Sequence, residues 1–290
     1  MTDLSIMKKN KRIPEQLVYL LIYTSAAISV LLLAGIIGYV FIKGIGAVNW
    51  GFLTNVTSVL KGTTGIAGNI VNTLYIISIT LLIAAPAGIG SAIYLNEYAR
   101  PGKLVRLIEF TTETLAGIPS ILFGLFGMVF FGTTLGLGYS ILTGSLTLTL
   151  MILPLITRNT QEALKTVPES YRNGALGLGT TKWYMIRTIL LPSAMPGIIT
   201  GIILAVGRIV GESAALLFTA GSGYYLPQSG QLFHKIFESG GTLSVQLYLS
   251  MSKGQYDIAF GIAAVLLMIV LIINFMTKLL TRNFDVSRKK

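Results

Sequence analysis

The chain alternates between long apolar runs and shorter polar segments. Six of the runs are long enough to cross about 30 Å of hydrocarbon as helices. They are continuous rather than alternating, so they predict α-helices. The predicted spans cover residues 17–42, 70–95, 113–131, 139–156, 197–220 and 258–280. The pattern therefore predicts an all-α membrane protein with six transmembrane helices.

The composition agrees with this pattern. Hydrophobic residues make up 53% of the chain and charged residues 11%, and the mean hydropathy is +0.74. A soluble domain carries about 25% charged residues, so a polytopic membrane protein is indicated. The chain has no cysteine and one histidine, His234, which excludes thiolate metal sites and a Ser-His-Asp triad. It also has no GxxxxGK(S/T) segment, so any energy from ATP must come from another chain.

The basic residues predict an orientation. Seventeen of the 22 Lys and Arg residues fall on the same side of the membrane as the N-terminus, and four fall on the other side. Because cytoplasmic loops carry an excess of Lys and Arg, both termini are predicted to be cytoplasmic. This bias explains the net charge of +11 without a nucleic acid partner. The predicted organisation is a cytoplasmic segment at 1–16, a membrane domain at 17–281 and a cytoplasmic tail at 282–290.

Residues 157–196 form the longest polar interruption, and their spacing predicts a cytoplasmic helix–turn–helix. The first helix runs from residue 168 to about residue 176, and Gly177 and Gly179 end it. A threonine at 180 or 181 then caps a second helix over residues 182–191, which Pro192 stops.

The second of these helices is amphipathic. Trp183, Ile186 and Leu190 share one face, which would need a groove on a partner protein. A connecting loop that lies on the membrane surface as an interfacial helix is an alternative of equal weight.

Several residues of this stretch match a known motif. The cytoplasmic coupling motif of ABC importer permeases reads EAA, three residues, Gly, nine residues, then Ile-x-Leu-Pro. This sequence resembles it at Ala175, Gly179, Ile189, Leu191 and Pro192. Asn173 and Gly174 stand where the family has Glu and Ala, and in that family the Glu helps to anchor the loop in a cleft of the ATPase. The resemblance implies that all seven positions belong to an ATPase-coupling element.

Two further segments narrow the resemblance. LAGIPSILFGLFG at 115–127 and GRIVGESAALLFTAG at 207–221 look like the phosphate-specific import permeases of the PstA type. The likeness implies a non-catalytic permease without a cofactor of its own, which moves inorganic phosphate by alternating access across a bacterial or archaeal cell (inner) membrane. It also implies partners: a homologous second permease in a heterodimer, a cytoplasmic ABC ATPase dimer that binds ATP, an extracytoplasmic phosphate-binding protein, and the lipid bilayer.

Two ionisable residues, Arg208 and Glu212, fall near the middle of the fifth predicted span. An ionised side chain there costs about 2.5–3.5 kcal/mol on insertion scales, so such residues often mark transport routes. At about 100° per residue, both lie on one stripe of small residues, with Gly197, Gly201, Ala205, Ala215 and Thr219. The opposite face, predicted to meet lipid, carries Ile199, Ile202, Val206, Val210 and Leu217.

Two interpretations of the charged residues stay open. They could form a structural ion pair between positions i and i+4. They could also line a translocation pathway, in which Arg208 attracts an oxyanion and Glu212 tunes or releases it, since the planar fork of Arg suits phosphate. The glycines at 124, 127, 207 and 211 are predicted close-packing positions, and Glu109 and Glu113 are predicted interfacial carboxylates at the start of the third span.

Other functions also stay open at this point. The chain could be a permease for another oxyanion such as sulfate or molybdate, a stand-alone secondary transporter or channel, or a membrane scaffold that transports nothing. The coupling helix discriminates between these classes, because a transporter that acts alone does not need one.

Overall fold

The computed structural model describes residues 13–58, 63–227 and 231–284. Its elements are, in chain order, α1 (Ile13–Gly44), α2 (Trp50–Thr54), β1 (Val56–Ser58), β2 (Thr63–Ile66), α3 (Ala67–Ile93), α4 (Lys103–Ala116), α5 (Ser120–Gly127), α6 (Ile141–Lys165), α7 (Glu169–Gly177), α8 (Lys182–Met185), α9 (Leu191–Gly211), α10 (Ala214–Thr219), α11 (Leu243–Ser252) and α12 (Tyr256–Phe284). Short π-helical segments continue α3, α5 and α8 at Tyr94–Tyr98, Met128–Thr134 and Ile186–Leu190, and His234–Phe237 is a 3-10 turn. β1 and β2 pair as an antiparallel hairpin, with Val56 opposite Ile66.

Five helical segments of the described chain are long and apolar enough to cross a membrane. They are Glu15–Gly44, Ala67–Tyr98, Ile141–Lys165, Lys182–Gly211 and Tyr256–Leu279. A sixth span results when Lys103–Ala116 and Ser120–Thr134 are taken together. The predicted all-α membrane fold is confirmed. The orientation and the domain boundaries stay predictions, and the terminal segments 1–16 and 282–290 lie largely outside the described residues.

The third span differs from its prediction as one straight helix over residues 113–131. It begins at Lys103 and bends by 100° between α4 and α5. The bend lies at Gly117, Ile118 and Pro119, because a proline disfavours helical geometry in the residue before it and lacks a backbone donor. Glu113 therefore lies in the last turn of α4, not at the start of the span, so the predicted position near a helix N-terminus is wrong.

Two predicted helix ends in the polar stretch are also wrong. α6 does not stop at residue 156 but continues to Lys165, because the residues that follow are polar without breaking the helix. The second coupling helix does not stop at Pro192 either: α8, its π-helical segment and α9 form one span from Lys182 to Gly211. Pro192 falls in the first turn of α9, directly after the π-helical segment, where its missing N–H is tolerated.

The core lies between α3, α6 and α9, with α5 and α10 packed beside them. Two glycines of α5 allow it to pack closely against α10 and α6. A Cβ added to Gly124 would lie 2.8 Å from Cα of Ala215, and one added to Gly127 would meet the Thr147 side chain. The close-packing prediction is thus confirmed for these two glycines. At Gly207 and Gly211 a Cβ would meet none of the described atoms within 4 Å, so these two glycines are not close-packing positions within this chain.

The segment that follows α10 is fastened to the first turns of α3. The side-chain amide of Asn69 donates to the carbonyl of Gly241 at 2.9 Å, and that of Asn72 donates to the carbonyl of Gly223 at 2.9 Å. Both asparagines are buried. These bonds hold the loop between α10 and α11 against the bundle at the end opposite the polar stretch.

Candidate functional site

The polar stretch folds into a hairpin made of α7, the turn at 178–181 and α8, which we call the coupling hairpin. Gly179 has φ +77°, a left-handed conformation that glycine adopts without strain. The hydroxyl of Thr180 donates to the carbonyl of Ala175 at 2.8 Å, and that of Thr181 accepts the N–H of Tyr184 at 3.3 Å. Thr181 is therefore the cap of the second helix, and the predicted glycine–threonine turn is confirmed.

The inner side of the coupling hairpin packs on its own chain. Ala175 and Met185 are buried together with Leu164 and Val167 at the end of α6. Ile186 and Leu190, which were expected to seek a groove on a partner, are fully buried in the same cluster. That expectation is wrong for these two residues because the segment after α8 folds back along α6.

The outer side of the coupling hairpin exposes large apolar side chains. Leu178 is 85% exposed and Trp183 60% exposed. The other members of this surface, which we call the outer face, are Tyr171, Leu176 and Tyr184. Apolar groups clustered on a polar segment mark a surface for a partner protein or for the membrane interface. Trp183 is thus the one residue of the predicted amphipathic face that stays available to a partner.

The other motif residues are distributed over the two sides. Asn173, Gly174, Gly179 and Pro192 are exposed, and Ile189 and Leu191 are half-buried. The motif therefore runs from α7 through the turn and the π-helical segment into the start of α9, and Ala175 is the one buried residue among its seven positions.

Sequence reasoning missed the residues that anchor this hairpin. Arg172 on α7 forms an ion pair with Glu97, with 3.0 Å between Nη2 and Oε1. Lys182 on α8 donates to the backbone carbonyl of Glu97 and lies over the ring of Tyr98, 5.1 Å from its centroid. Glu97 lies just after the second predicted span and Arg172 lies within the polar stretch, and nothing in their spacing links them.

The structure does not pair Arg208 with Glu212, so the structural ion pair is wrong. α9 ends at Gly211, and the chain leaves helical geometry at Glu212, where ψ is 122°. The carboxylate of Glu212 instead accepts the N–H of Ala215 at 3.0 Å, at the start of α10. Its backbone carbonyl accepts the hydroxyl of Ser244 at 2.7 Å. Arg208 is half-buried and has no hydrogen-bond or ion-pair partner among the residues that the structure describes.

The predicted lipid-facing side of the fifth span is also wrong. Val206 and Val210 are buried in the core, because α9 is packed on more than one side. The small residues Gly197 and Gly201 approach Ala163 and Asn159 of α6, as their size permits. The open face of α9, defined as its exposed residues from position 200 onward, consists of Thr200, Leu204, Gly207 and Gly211, and Arg208 borders it.

Known proteins resemble this chain over most of its length. It is 37% identical over 276 residues to the "Probable ABC transporter permease protein YqgI" of Bacillus subtilis, covering 91% of this chain and 94% of that protein. It is 33% identical over 242 residues to the "Phosphate transport system permease protein PstA" of Xylella fastidiosa, covering 83% of each. A third relative, "Phosphate transport system permease protein PstA 1" of Mycobacterium tuberculosis, is 32% identical and covers 78% of this chain and 73% of its own length.

Solved structures share the fold. The crystal structure of a bacterial alginate ABC transporter in complex with its alginate-bound periplasmic protein contains a chain with TM-score 0.66 and 17% identity, covering 93% of this chain and 96% of that one. An inward-facing form of the MetNI methionine ABC transporter matches with TM-score 0.58 and 20% identity, covering 76% and 94%. The family described as "Binding-protein-dependent transport system inner membrane component" matches residues 84–290. The chain therefore belongs to this family and is a membrane permease subunit of an ABC importer.

Proposed function

We propose that this permease translocates inorganic phosphate. The observation that carries the proposal is Arg208, a half-buried guanidinium at the open face of α9 without a carboxylate partner in the described chain. A guanidinium offers two parallel N–H donors to a phosphate, and such charge-assisted bonds are about twice as strong as neutral ones. Several relatives named as phosphate transport permeases support the same assignment.

Arg208 is not covered by neighbouring side chains of α9 itself. Gly207 and Gly211 flank it, and a Cβ at either position would meet none of the described atoms within 4 Å. The open face of α9 would meet the second, homologous permease of a heterodimer, so that the pathway runs between the two chains. A single arginine gives transient binding, which suits a route rather than a storage site.

Glu212 favours phosphate over sulfate in this proposal. One carboxylate oxygen accepts the N–H of Ala215, and a carboxylate has acceptor capacity left for another donor. Phosphate carries a proton near neutral pH and can donate it in a hydrogen bond, whereas sulfate carries none and would be repelled. Glu212 would thus select a protonated oxyanion and weaken its hold, so that the ion is released.

The energy would come from a cytoplasmic ATPase dimer that docks on the outer face of the coupling hairpin. Because α8 continues through its π-helical segment into α9, a displacement of the hairpin would reach Arg208 within one continuous span of 30 residues. Both termini would be cytoplasmic, and an extracytoplasmic phosphate-binding protein would deliver the substrate. The chain itself would hydrolyse nothing and bind no cofactor.

Co-purification tests this assignment. The tagged chain, expressed in its host and solubilised in detergent, should retain an ATPase and a second permease. ATP hydrolysis by that complex should rise when phosphate and its binding protein are added, and sulfate or molybdate should have no effect. Stimulation by sulfate or molybdate instead of phosphate would assign another oxyanion. Transport by the purified chain alone would contradict an ATP-driven importer.

A further inference from the structure

The coupling hairpin is fastened to a second span besides α9. Glu97 lies in the π-helical segment that ends α3, and its side chain is 5% exposed. Its Oε1 accepts Nε and Nη2 of Arg172 at 3.2 and 3.0 Å, together with the side-chain amide of Asn96 at 2.7 Å. Removing one partner of such an enclosed ion pair leaves an uncompensated buried charge, which is strongly destabilising. The Glu97 carboxylate therefore holds Arg172 in one position.

Arg172 connects three segments at once. Besides Glu97, its Nη1 donates to the carbonyl of Val167 at 3.0 Å, and its Nη2 donates to the carbonyl of Leu164 at 3.0 Å. One guanidinium therefore joins α7, the end of α6 and the end of α3. The rigid fork of arginine makes this arrangement possible, whereas the single ammonium of lysine could not reproduce it.

The second helix of the hairpin is held at the same place. Lys182 of α8 donates to the backbone carbonyl of Glu97 and lies over the ring of Tyr98. Each helix of the coupling hairpin thus contributes one cationic side chain, Arg172 or Lys182, that contacts the π-helical end of α3. π-Helical turns interrupt regular helices at functional positions more often than elsewhere.

A second ion pair in the same region differs in kind. Arg158 of α6 pairs with Glu162 at 2.8 Å and also with Glu113 of α4, but these side chains are 54% to 61% exposed. Exposed pairs contribute little because water screens them. The pair of Glu97 and Arg172 is the enclosed one, and it lies between the hairpin and the span that packs most closely on α6.

We infer that Glu97 is a positioning residue for energy coupling. Glu97 makes the coupling hairpin and α3 move as one body. A displacement of the hairpin is then transmitted to the α3–α6 core as well as to α9. The inference rests on the proposed ATP-driven transport. The movement of the hairpin is thereby transmitted through two spans, α9 and α3, and the connection to α3 depends on the single buried carboxylate of Glu97.

The test is the number of ATP molecules hydrolysed per substrate transported, measured on the complete reconstituted complex. Glu97→Gln keeps the shape and an acceptor oxygen but removes the charge, and Arg172→Lys keeps the charge but loses the fork. Both variants should hydrolyse severalfold more ATP per transported ion than the parent complex. The matched control is Glu162→Gln, which breaks an exposed pair on α6 and should leave the ratio unchanged.

Restoring the connection by other means separates positioning from folding. The chain contains no cysteine, so Glu97→Cys combined with Arg172→Cys provides two unique thiols in this subunit. The double variant should be uncoupled, and a bifunctional methanethiosulfonate that bridges the two thiols should return the ratio towards that of the parent complex.

Three results would overturn the inference. The first is that the variants hydrolyse a normal number of ATP molecules per transported ion and only melt at a lower temperature, which would show that the ion pair serves stability alone. The second is a bridged double variant that stays uncoupled, and the third is that no variant assembles. Failure of the proposed function looks different, because the parent complex would then transport no phosphate, and the ratio could still be measured with the ion that it does transport.

Discussion

The carboxylate of Glu212 accepts the backbone N–H of Ala215 at 3.0 Å and forms no ion pair with Arg208. The chain leaves helical geometry after Gly211, and the carboxylate of Glu212 bonds to the start of α10 instead of to Arg208. Arg208 is therefore left available to an anion, while Glu212 is fixed by the start of α10.

Arg208→Gln should abolish most phosphate uptake while the complex still assembles. Hydrogen bonds to charged groups contribute about 1.5–3 kcal/mol each, so loss of the fork should reduce uptake at least about tenfold. Arg208→Lys should be intermediate, because it keeps the charge without the fork. Uptake of labelled phosphate into proteoliposomes measures this, with Arg106→Gln, an exposed arginine of α4, as the control. Uptake retained in Arg208→Gln would make this residue structural.

Glu212→Gln should change selectivity more than stability. The amide oxygen of Gln can still accept the N–H of Ala215, and the bond from Ser244 goes to the backbone, so the fold is kept. Without the negative charge, sulfate should begin to compete with phosphate for uptake. Equal exclusion of sulfate by the variant and by the parent would contradict a role in selection.

Glu212→Ala separates the hydrogen bond of the Glu212 side chain from its charge. It removes the oxygen that accepts the N–H of Ala215, and the net loss of one hydrogen bond costs about 1 kcal/mol. Thermal unfolding of the assembled complex should therefore show a lower midpoint for Glu212→Ala than for Glu212→Gln. Identical midpoints would mean that this bond does not stabilise the break.

The turn at Gly179 should be sensitive to any side chain. Its φ of +77° is costly for other residues by about 1–2 kcal/mol, although a Cβ there would meet none of the described atoms within 4 Å. A bulky residue, as in Gly179→Leu, should uncouple ATP hydrolysis from transport without preventing membrane insertion. Gly177→Ala is the matched control, because its surroundings are equally open but it lies in α7. Normal coupling in Gly179→Leu would remove the turn from the mechanism.

The loop between α10 and α11 should loosen in acid. The hydrogen bond from Lys235, at 3.1 Å, lowers the pKa of Glu238 below its ordinary value of 4.5, and a weaker bond to His234 acts in the same direction. Because the folded pKa lies below the unfolded one, this stabilisation is complete above about pH 4.5 and is lost as the pH falls through the folded pKa. The protection factors for hydrogen exchange in residues 231–242, which correct for the intrinsic pH dependence of exchange, should therefore fall below pH 4.5, and Glu238→Gln should remove most of this dependence. An unchanged pH profile in Glu238→Gln would contradict the assignment.

The apolar runs were sufficient to predict the spanning helices, because length and hydropathy are local properties. The glycine–threonine turn of the coupling hairpin was predictable for the same reason, since Gly179 and Thr181 act on neighbouring backbone. The ends of the helices were not. α6 and α9 run through positions that polar residues and Pro192 were expected to interrupt.

The site itself depends on contacts that sequence spacing does not encode. The break at Glu212 involves Ser244 of α11, 32 positions away, and the pair of Glu97 and Arg172 is separated by 75 positions. Likewise, burial of Ile186 and Leu190 follows from how the chain folds back on α6. An amphipathic pattern indicates that a face is covered, but it does not indicate by which protein.

The most direct test of the central claim is ATP-driven uptake of labelled phosphate by proteoliposomes that contain this chain, its second permease and the ATPase, with the binding protein present on the outside. The account predicts uptake that requires ATP, is not reduced by excess sulfate or molybdate, and falls at least about tenfold with Arg208→Gln. Uptake without ATPase, uptake of sulfate or molybdate in place of phosphate, or normal uptake with Arg208→Gln would contradict it.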